Sequence, residues 1–290
     1  MKKLVYLSLA CAAILNAADA EVKIDTISVE STTLQDVSGH EIKSADVAEA
    51  LAKKVPSISL IRRSGIANDI LLRGQKKDNI NVLIDDGKIC GACPNRMDPT
   101  TSHIATNNVE SVEIIEGPYD VENFGTLSGT VNITTTQPKE EFHGNVNFGY
   151  GSYDYKKAAA SLSGGVGAFR FLLSFSGETS GQYEDGDGNT FADQVDNFVA
   201  DNPLAAGAAY QDQYRDMDAY TKLTGSAKVF VDLTDDQELR FGYMANRSDD
   251  ILYANSKMDA LYDDSNLYTA EYVIRDIGSI SKELDFQYYY

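Results

Sequence analysis

Two sulfur-bearing side chains four residues apart, Cys93 and Met97, lie in the segment "CGACPNRMDPT", Cys90 to Thr100. A thiolate and a thioether are soft donors, and soft donors select Cu(I) over hard cations. On one helical turn, positions i and i+4 face the same way, so both sulfurs can reach one ion. Pro94 fits the first position of such a turn, and Pro99 would stop it early. Cys90 adds a second thiol at the C-x-x-C spacing, which opens competing chemistries. A thioredoxin-like redox pair needs a helix start in a βαβ setting. Haem attachment needs a His after the second Cys, where Pro94 stands. A structural zinc site needs two more ligands, and His103 is one residue, expected at the surface. A Cys90–Cys93 disulfide and a soft-metal site both stay open.

The elements around this segment start at the N-terminus. "MKKLVYLSLACAAILNAADA" has Lys2 and Lys3, an apolar run from Leu4 to Leu15 and small residues up to Ala20. That is the pattern of a secretory signal peptide over residues 1–20, with a lipoprotein signal ending at Cys11 as the minor alternative. Removal of Lys2, Lys3 and Asp19 turns 25 − 44 = −19 into 23 − 43 = −20. So acidic a chain lacks the clustered Lys and Arg that nucleic acid requires. Cys11 leaves with the signal, and the two remaining cysteines enter an oxidising compartment where a disulfide is allowed. No later stretch approaches the roughly 20 apolar residues of a membrane helix.

Residues 21–40 read as a flexible, extended arm with a brief alternation at Ile24, Thr26, Ile27 and Val29. From 41 to 138 the chain reads as a compact α+β unit. "SADVAEALAKKVP" starts with Ser44 as a cap, spaces Val47, Leu51 and Val55 for a helix and stops at Pro56. "ISLIRR", "DILLRG", "NINVLIDDGK" and "VESVEIIEGP" are strands, with Asp86-Gly87 as a hairpin turn. From 139 to 290 the period becomes two. In "AFRFLLSFSG", Phe169, Phe171, Leu173 and Phe175 alternate with Arg170, Leu172, Ser174 and Ser176. Segments of about ten residues with one apolar and one polar face, rich in Tyr, fit transmembrane barrel strands; a soluble β-sandwich is the alternative. The expected strands fall near 142–151, 155–164, 168–178, 218–231, 237–247, 266–276 and 280–290. Short turns alternate with long links, 179–217 and 248–265, and short periplasmic turns with long external loops are a barrel's habit.

"DVAEALAKKVPSISLIRRSGIANDILLRG", "NVLIDDGK" and "VESVEIIEGPYDVENFGTLSGTVNITT" together resemble the plug domain of TonB-dependent outer-membrane receptors, over about 100 residues in the family's order. The resemblance implies a plug inside a 22-stranded barrel, in the outer membrane of a Gram-negative bacterium. It also implies a short N-terminal box that pairs with the energy-coupling protein TonB by adding a strand to it. "DTISV" (Asp25, Thr26, Ile27, Ser28, Val29) resembles that box. "CPNRMDPT" looks like the motif of the copper receptors of this family, with Cys93 and Met97 as ligands. Their second ligand pair is a His-x-Met in an external loop. "DDILYANSKMDALYDD" resembles that loop, with Met258 in place and Ser256 where the His stands. Cys90 departs from the pattern and is either a third ligand or a disulfide partner of Cys93. "YEDGDGN" puts Asp185, Asp187 and Asn189 at the spacing of the first ligands of a Ca²⁺ loop, or forms a plain acidic turn.

The functional expectation is an energised receptor for copper, with lipid, TonB and the copper ion as partners. A receptor of the same architecture for a siderophore or another metal chelate is the alternative. No Ser/His/Asp or paired-carboxylate constellation marks an enzyme. From Glu141 the chain has 290 − 140 = 150 residues, room for about seven strands of ~10 residues with their loops. Seven strands leave two unpaired edges, which lipid does not satisfy, so the expectation is a truncated chain or one completed by another.

Overall fold

A computed structural model describes residues 31–35, 46–93, 97–123, 125–254, 256, 258–279 and 281–290. The signal segment, the box Asp25–Val29 and the turn Pro94–Arg96 lie outside the described residues.

The helix expected from the 3.6-residue spacing is α1, Val47–Lys54, with Val47, Ala48, Ala50 and Leu51 buried. Its cap is Asp46, two residues later than the Ser44 that the sequence points to. The Asp46 carboxylate accepts the Ala48 N–H at 2.8 Å and the Asn68 N–H at 2.9 Å. The helix ends at Lys54, and Pro56 keeps it from resuming. Short strands follow: β2 (Ile58–Ile61) pairs with β3 (Asp69–Leu72). A five-stranded sheet forms the rest of the plug, from β1 (Ser31–Gln35), β4 (Ile80–Ile84), β5 (Gly87–Lys88), β6 (Val109–Glu116) and β7 (Gly129–Thr135), in the order β1-β6-β7-β4-β5. β4 and β7 run parallel and the other neighbours antiparallel. Ser31–Gln35, assigned to the flexible arm by its polarity, is therefore an edge strand, because β6 offers it a free ladder. Val112, Ile114, Val131, Ile133 and Ile84 from this sheet pack against Leu51 and Val55 in one core.

The turn after β4 is shifted by one residue from the expected Asp86-Gly87. Ile84 pairs with Gly87, and the turn residues are Asp85 and Asp86, both left-handed at φ 47° and 62°. Positive φ at both centres is a type I′ turn, the hairpin form whose twist suits its strands. Asp85 tolerates it because its carboxylate accepts the N–H (2.8 Å) and hydroxyl (2.6 Å) of Thr135.

All seven expected strands of the second half are present: β8 (His143–Tyr150), β9 (Lys156–Val166), β10 (Phe169–Ser180), β11 (Tyr220–Thr234), β12 (Gln237–Ile251), β13 (Ala260–Ile277) and β14 (Ser281–Tyr289). They form one antiparallel meander in chain order. Two connections differ from expectation. The β10–β11 link carries an unforeseen helix, α2 (Phe191–Asp201), opened by a capping box between Thr190 and Asp193. The β12–β13 link is only residues 252–259, because both strands run on past the expected ends: Ser248 pairs with Asp263 and Ile251 with Ala260.

The two faces of this sheet are reversed relative to a soluble protein. Leu172, Ser176, Lys222, Thr224, Lys228 and Asn246 are buried. Phe148 (82 % exposed), Tyr150, Leu173, Phe175, Phe241 and Tyr288 stand on the open side. A soluble sandwich would bury the second set, so the sandwich alternative fails and the open apolar face is a lipid face.

Candidate metal site

The wall and the plug are joined by polar contacts from buried side chains. Lys157 on β9 donates to Thr106 Oγ1 (3.0 Å) beside Glu178 Oε2 (3.6 Å). On β11, Lys222 donates to the Ile104 carbonyl (3.0 Å), and Lys228 pairs with Asp85 (3.0 Å). Asn108 donates to Ser226 (3.2 Å). Met244 and Leu267 of the wall enter the plug core directly.

This seam positions the sulfur motif. Beyond β5 the chain turns at Gly91, and the Asp98 carboxylate reaches back to accept the N–H groups of Ala92 and Cys93, the latter at 3.1 Å. A Cβ on Gly91 would fall 2.8 Å from Asp98 Oδ1, so any larger residue there would have to push this carboxylate aside. Met97 is 8 % exposed and packs with Ile66, Ala67, Tyr220, Ile251 and Tyr253, with Cys93 half-buried against the same cluster. Cys93 and Met97 are thus brought to one place, while Cys90 stands exposed; both cysteines are free thiols. The helical turn expected from Pro94 lies outside the described residues; after Pro99 comes the 3₁₀ turn Thr100–His103.

The loop 252–259 meets this cluster from the wall. The Tyr253 hydroxyl donates to the Met97 carbonyl at 2.7 Å. Met258, 55 % exposed, sits five residues on. Ser256, in the position the resemblance gives to His, accepts the Met258 N–H on its hydroxyl (3.2 Å) and so shapes the turn. Sequence reading overlooked Tyr253 and Asp98. The "MDP" step was a signal for Asp98, since Asp readily accepts nearby backbone N–H groups; Tyr253 carried none beyond its aromatic character in a loop.

His103, expected at the surface, is 3 % exposed. Burial first of all holds its imidazole below the ordinary His range, against the opposing pull of Asp263 and Asp98. It is inside because the 3₁₀ turn faces α1 and β4, not solvent. Among the described residues no three His, Cys, Asp or Glu side chains converge on a cation position. In the acidic loop, Asp185 accepts the N–H groups of Asp187 and Asn189 (2.9 Å each), and both its oxygens take the Asn189 amide (3.1 and 2.9 Å). That is an acidic turn closing on itself. Thr190, the next residue, is the cap of α2.

The family model of the TonB-dependent receptor plug domain matches residues 23–130. Among solved structures, a copper transporter named OprC superposes with a TM-score of 0.73 at 22 % identity, over 89 % of this chain and 36 % of that one. The FrpB iron transporter of Neisseria meningitidis gives 0.66 at 16 % identity, covering 90 % and 39 %. The siderophore receptor PirA of Acinetobacter baumannii gives 0.60 at 18 %, covering 89 % and 39 %. The chain thus spans well under half the length of these proteins. Residues 23–130 are therefore a plug domain of the TonB-dependent receptor family, and the strands that follow share the fold of such receptors, which sit in the outer membrane of Gram-negative bacteria.

Proposed function

We propose that this receptor takes up copper, with Cys93, Met97 and Met258 as sulfur ligands and TonB, engaged through Asp25–Val29, as its energy source. One observation carries the reading: Cys93 and Met97 pack in a single cluster with Tyr253, at the root of the loop that bears Met258. Three sulfurs suit Cu(I), which accepts thiolate and thioether donors and low coordination numbers. Cys90, exposed three residues before Cys93, is either a fourth donor or, oxidised, the partner that removes Cys93 from the metal. The chemistry is binding and passage, with no bond made or broken in a substrate. Titrating Cu(I) against a chromogenic chelator tests it: Cys93→Ala and Met97→Ala should each weaken binding at least tenfold, and parent-like affinity in both sinks the copper reading.

A second reading has its own observation. Phe191, Phe198, Tyr210, Tyr214 and Tyr253 line a cavity of about 470 Å³ between α2 and the loop 252–259. Its size and aromatic walls suit an organic chelate of a metal. Saturable binding of ferric catecholates or hydroxamates by the Cys93→Ala variant, with no copper dependence in the parent, would favour it.

A further inference from the structure

Met258 lies on an exposed loop, whereas Cys93 and Met97 belong to the plug; a site made from both needs something that fixes one against the other before metal arrives. We propose that Tyr253 is that positioning residue, a role that rests on the copper reading above. Its ring is 2 % exposed, held among Ile66, Ala67, Met97, Tyr220 and Ile251. Its hydroxyl donates to the carbonyl of Met97 itself (2.7 Å). A buried phenol needs a partner, and here the partner is the backbone of a proposed ligand.

From the same residue the loop is tied down through its backbone. The Tyr253 N–H donates to Asp259 Oδ1 (2.9 Å), and the Tyr253 carbonyl accepts the Ser256 N–H (3.0 Å). Ser256 Oγ then accepts the N–H of Met258 (3.2 Å). Met258 is thus bracketed by Ser256 before it and Asp259 after it, both bound to Tyr253. A continuous run of hydrogen bonds joins Met97 to Met258 with no metal in it. An unbranched Met side chain on a free loop would lose much conformational freedom on binding; a loop already fixed at its base loses less. Tyr253 touches no ion in this scheme and acts only through Met258.

A double-mutant cycle in Cu(I) affinity separates this role from plain structural support. Tyr253→Phe keeps the ring and removes the hydroxyl, leaving the Met97 carbonyl unpaired. It should weaken Cu(I) binding about tenfold in the parent. In a Met258→Ala background the same change should cost nothing, because the ligand it places is gone. X-ray absorption should show one sulfur fewer around copper in Tyr253→Phe. Asp259→Ala cuts the same chain of bonds outside the core and should repeat the pattern, which guards against a folding defect in the first variant. If either variant binds like the parent, or loses the same factor with and without Met258, the role of Tyr253 is overturned while the copper reading stands. If Cys93→Ala and Met97→Ala themselves bind like the parent, the copper reading falls, and this role falls with it.

Discussion

Asp98 follows Met97 directly, yet its carboxylate turns back to the other end of the motif, where it holds the N–H groups of Ala92 and Cys93. The sulfur of Cys93 is therefore placed by a backbone that an acid fixes. Gly91 makes this feasible, since an added Cβ would stand 2.8 Å from Asp98 Oδ1. Gly91→Ala should displace the carboxylate, loosen Cys93 and weaken Cu(I) binding about tenfold, or ~1.4 kcal/mol. The chelator competition measures this, and an unchanged affinity would show that the cap does not set Cys93. Asp46 offers a test by pH. It is fully buried, and desolvation pushes its carboxyl up to about 7 from an ordinary 3.8, against the N–H bonds of Asn68 and Ala48. A raised folded-state value means that the fold holds a proton the unfolded chain has released between those limits. Stability must then fall as pH rises from about 4 through 7. Relative to Asp46→Asn, the parent should lose stability between pH 5 and 8, followed as denaturant midpoints. A pH-independent difference between the two would refute the assignment.

At the scale of elements, the hairpin at Asp85-Asp86 shows why a motif can be right and its register wrong. "IDDGK" carries the strongest hairpin dipeptide, Asp-Gly, but β4 pairs parallel with β7 from Ile80 to Ile84, and the Asp85 N–H adds a last bond to the Ile133 carbonyl (3.0 Å), so the turn opens at Asp85. The partner strand chooses the register, and Thr135 rewards the choice by binding both Asp85 oxygens. Asp85→Ala removes those bonds and the Lys228 partner and puts a Cβ-bearing residue without side-chain support at φ 47°. A loss of about 3 kcal/mol is expected. Asp86→Gly, at φ 62°, should be close to neutral. Exchange of the Thr135 amide should accelerate in the first variant alone. The same lesson holds for β12 and β13. "SDDIL" and "YDDSN" read as loop by composition, yet Ser248 pairs with Asp263 and Asp249 with Tyr262, because each strand supplies the other's ladder. The period-two stretches were legible because lipid on one side and plug on the other enforce alternation. α2 was missed because its Thr-x-x-Asp capping box was read as part of an acidic loop.

For the whole molecule, the reversed faces and the buried lysines are two sides of one design. A wall that shows Phe, Tyr and Leu to lipid must present its polar face inward, and a plug can fill that space only by meeting polar groups with polar groups. Sequence alternation disclosed the outward face. It could not disclose that Lys157, Lys222 and Lys228 reach Thr106, Ile104 and Asp85, since those pairs lie 51 to 143 residues apart and depend on how the plug is seated. Lys222 is the sharpest case: it is 1 % exposed, and its ammonium donates to the Ile104 carbonyl, just below the 3₁₀ turn that carries His103. Lys222→Met keeps the length of the side chain and withdraws the donor, leaving a buried carbonyl unpaired. The segment from Ile104 to Asn108 should then open more often. Its reporters are the amides of Asn108, bonded to the Ala105 carbonyl, and Thr136, bonded to the Asn108 carbonyl, each at 2.9 Å. Both should exchange about tenfold faster, equivalent to ~1.4 kcal/mol of local stability. Leu223→Ala on the same strand removes lipid-facing area and no plug contact, and should leave both amides unchanged. Equal acceleration in the two variants would mean that the wall stabilises the plug through its general integrity, whereas acceleration in Lys222→Met alone locates the hold in the lysine.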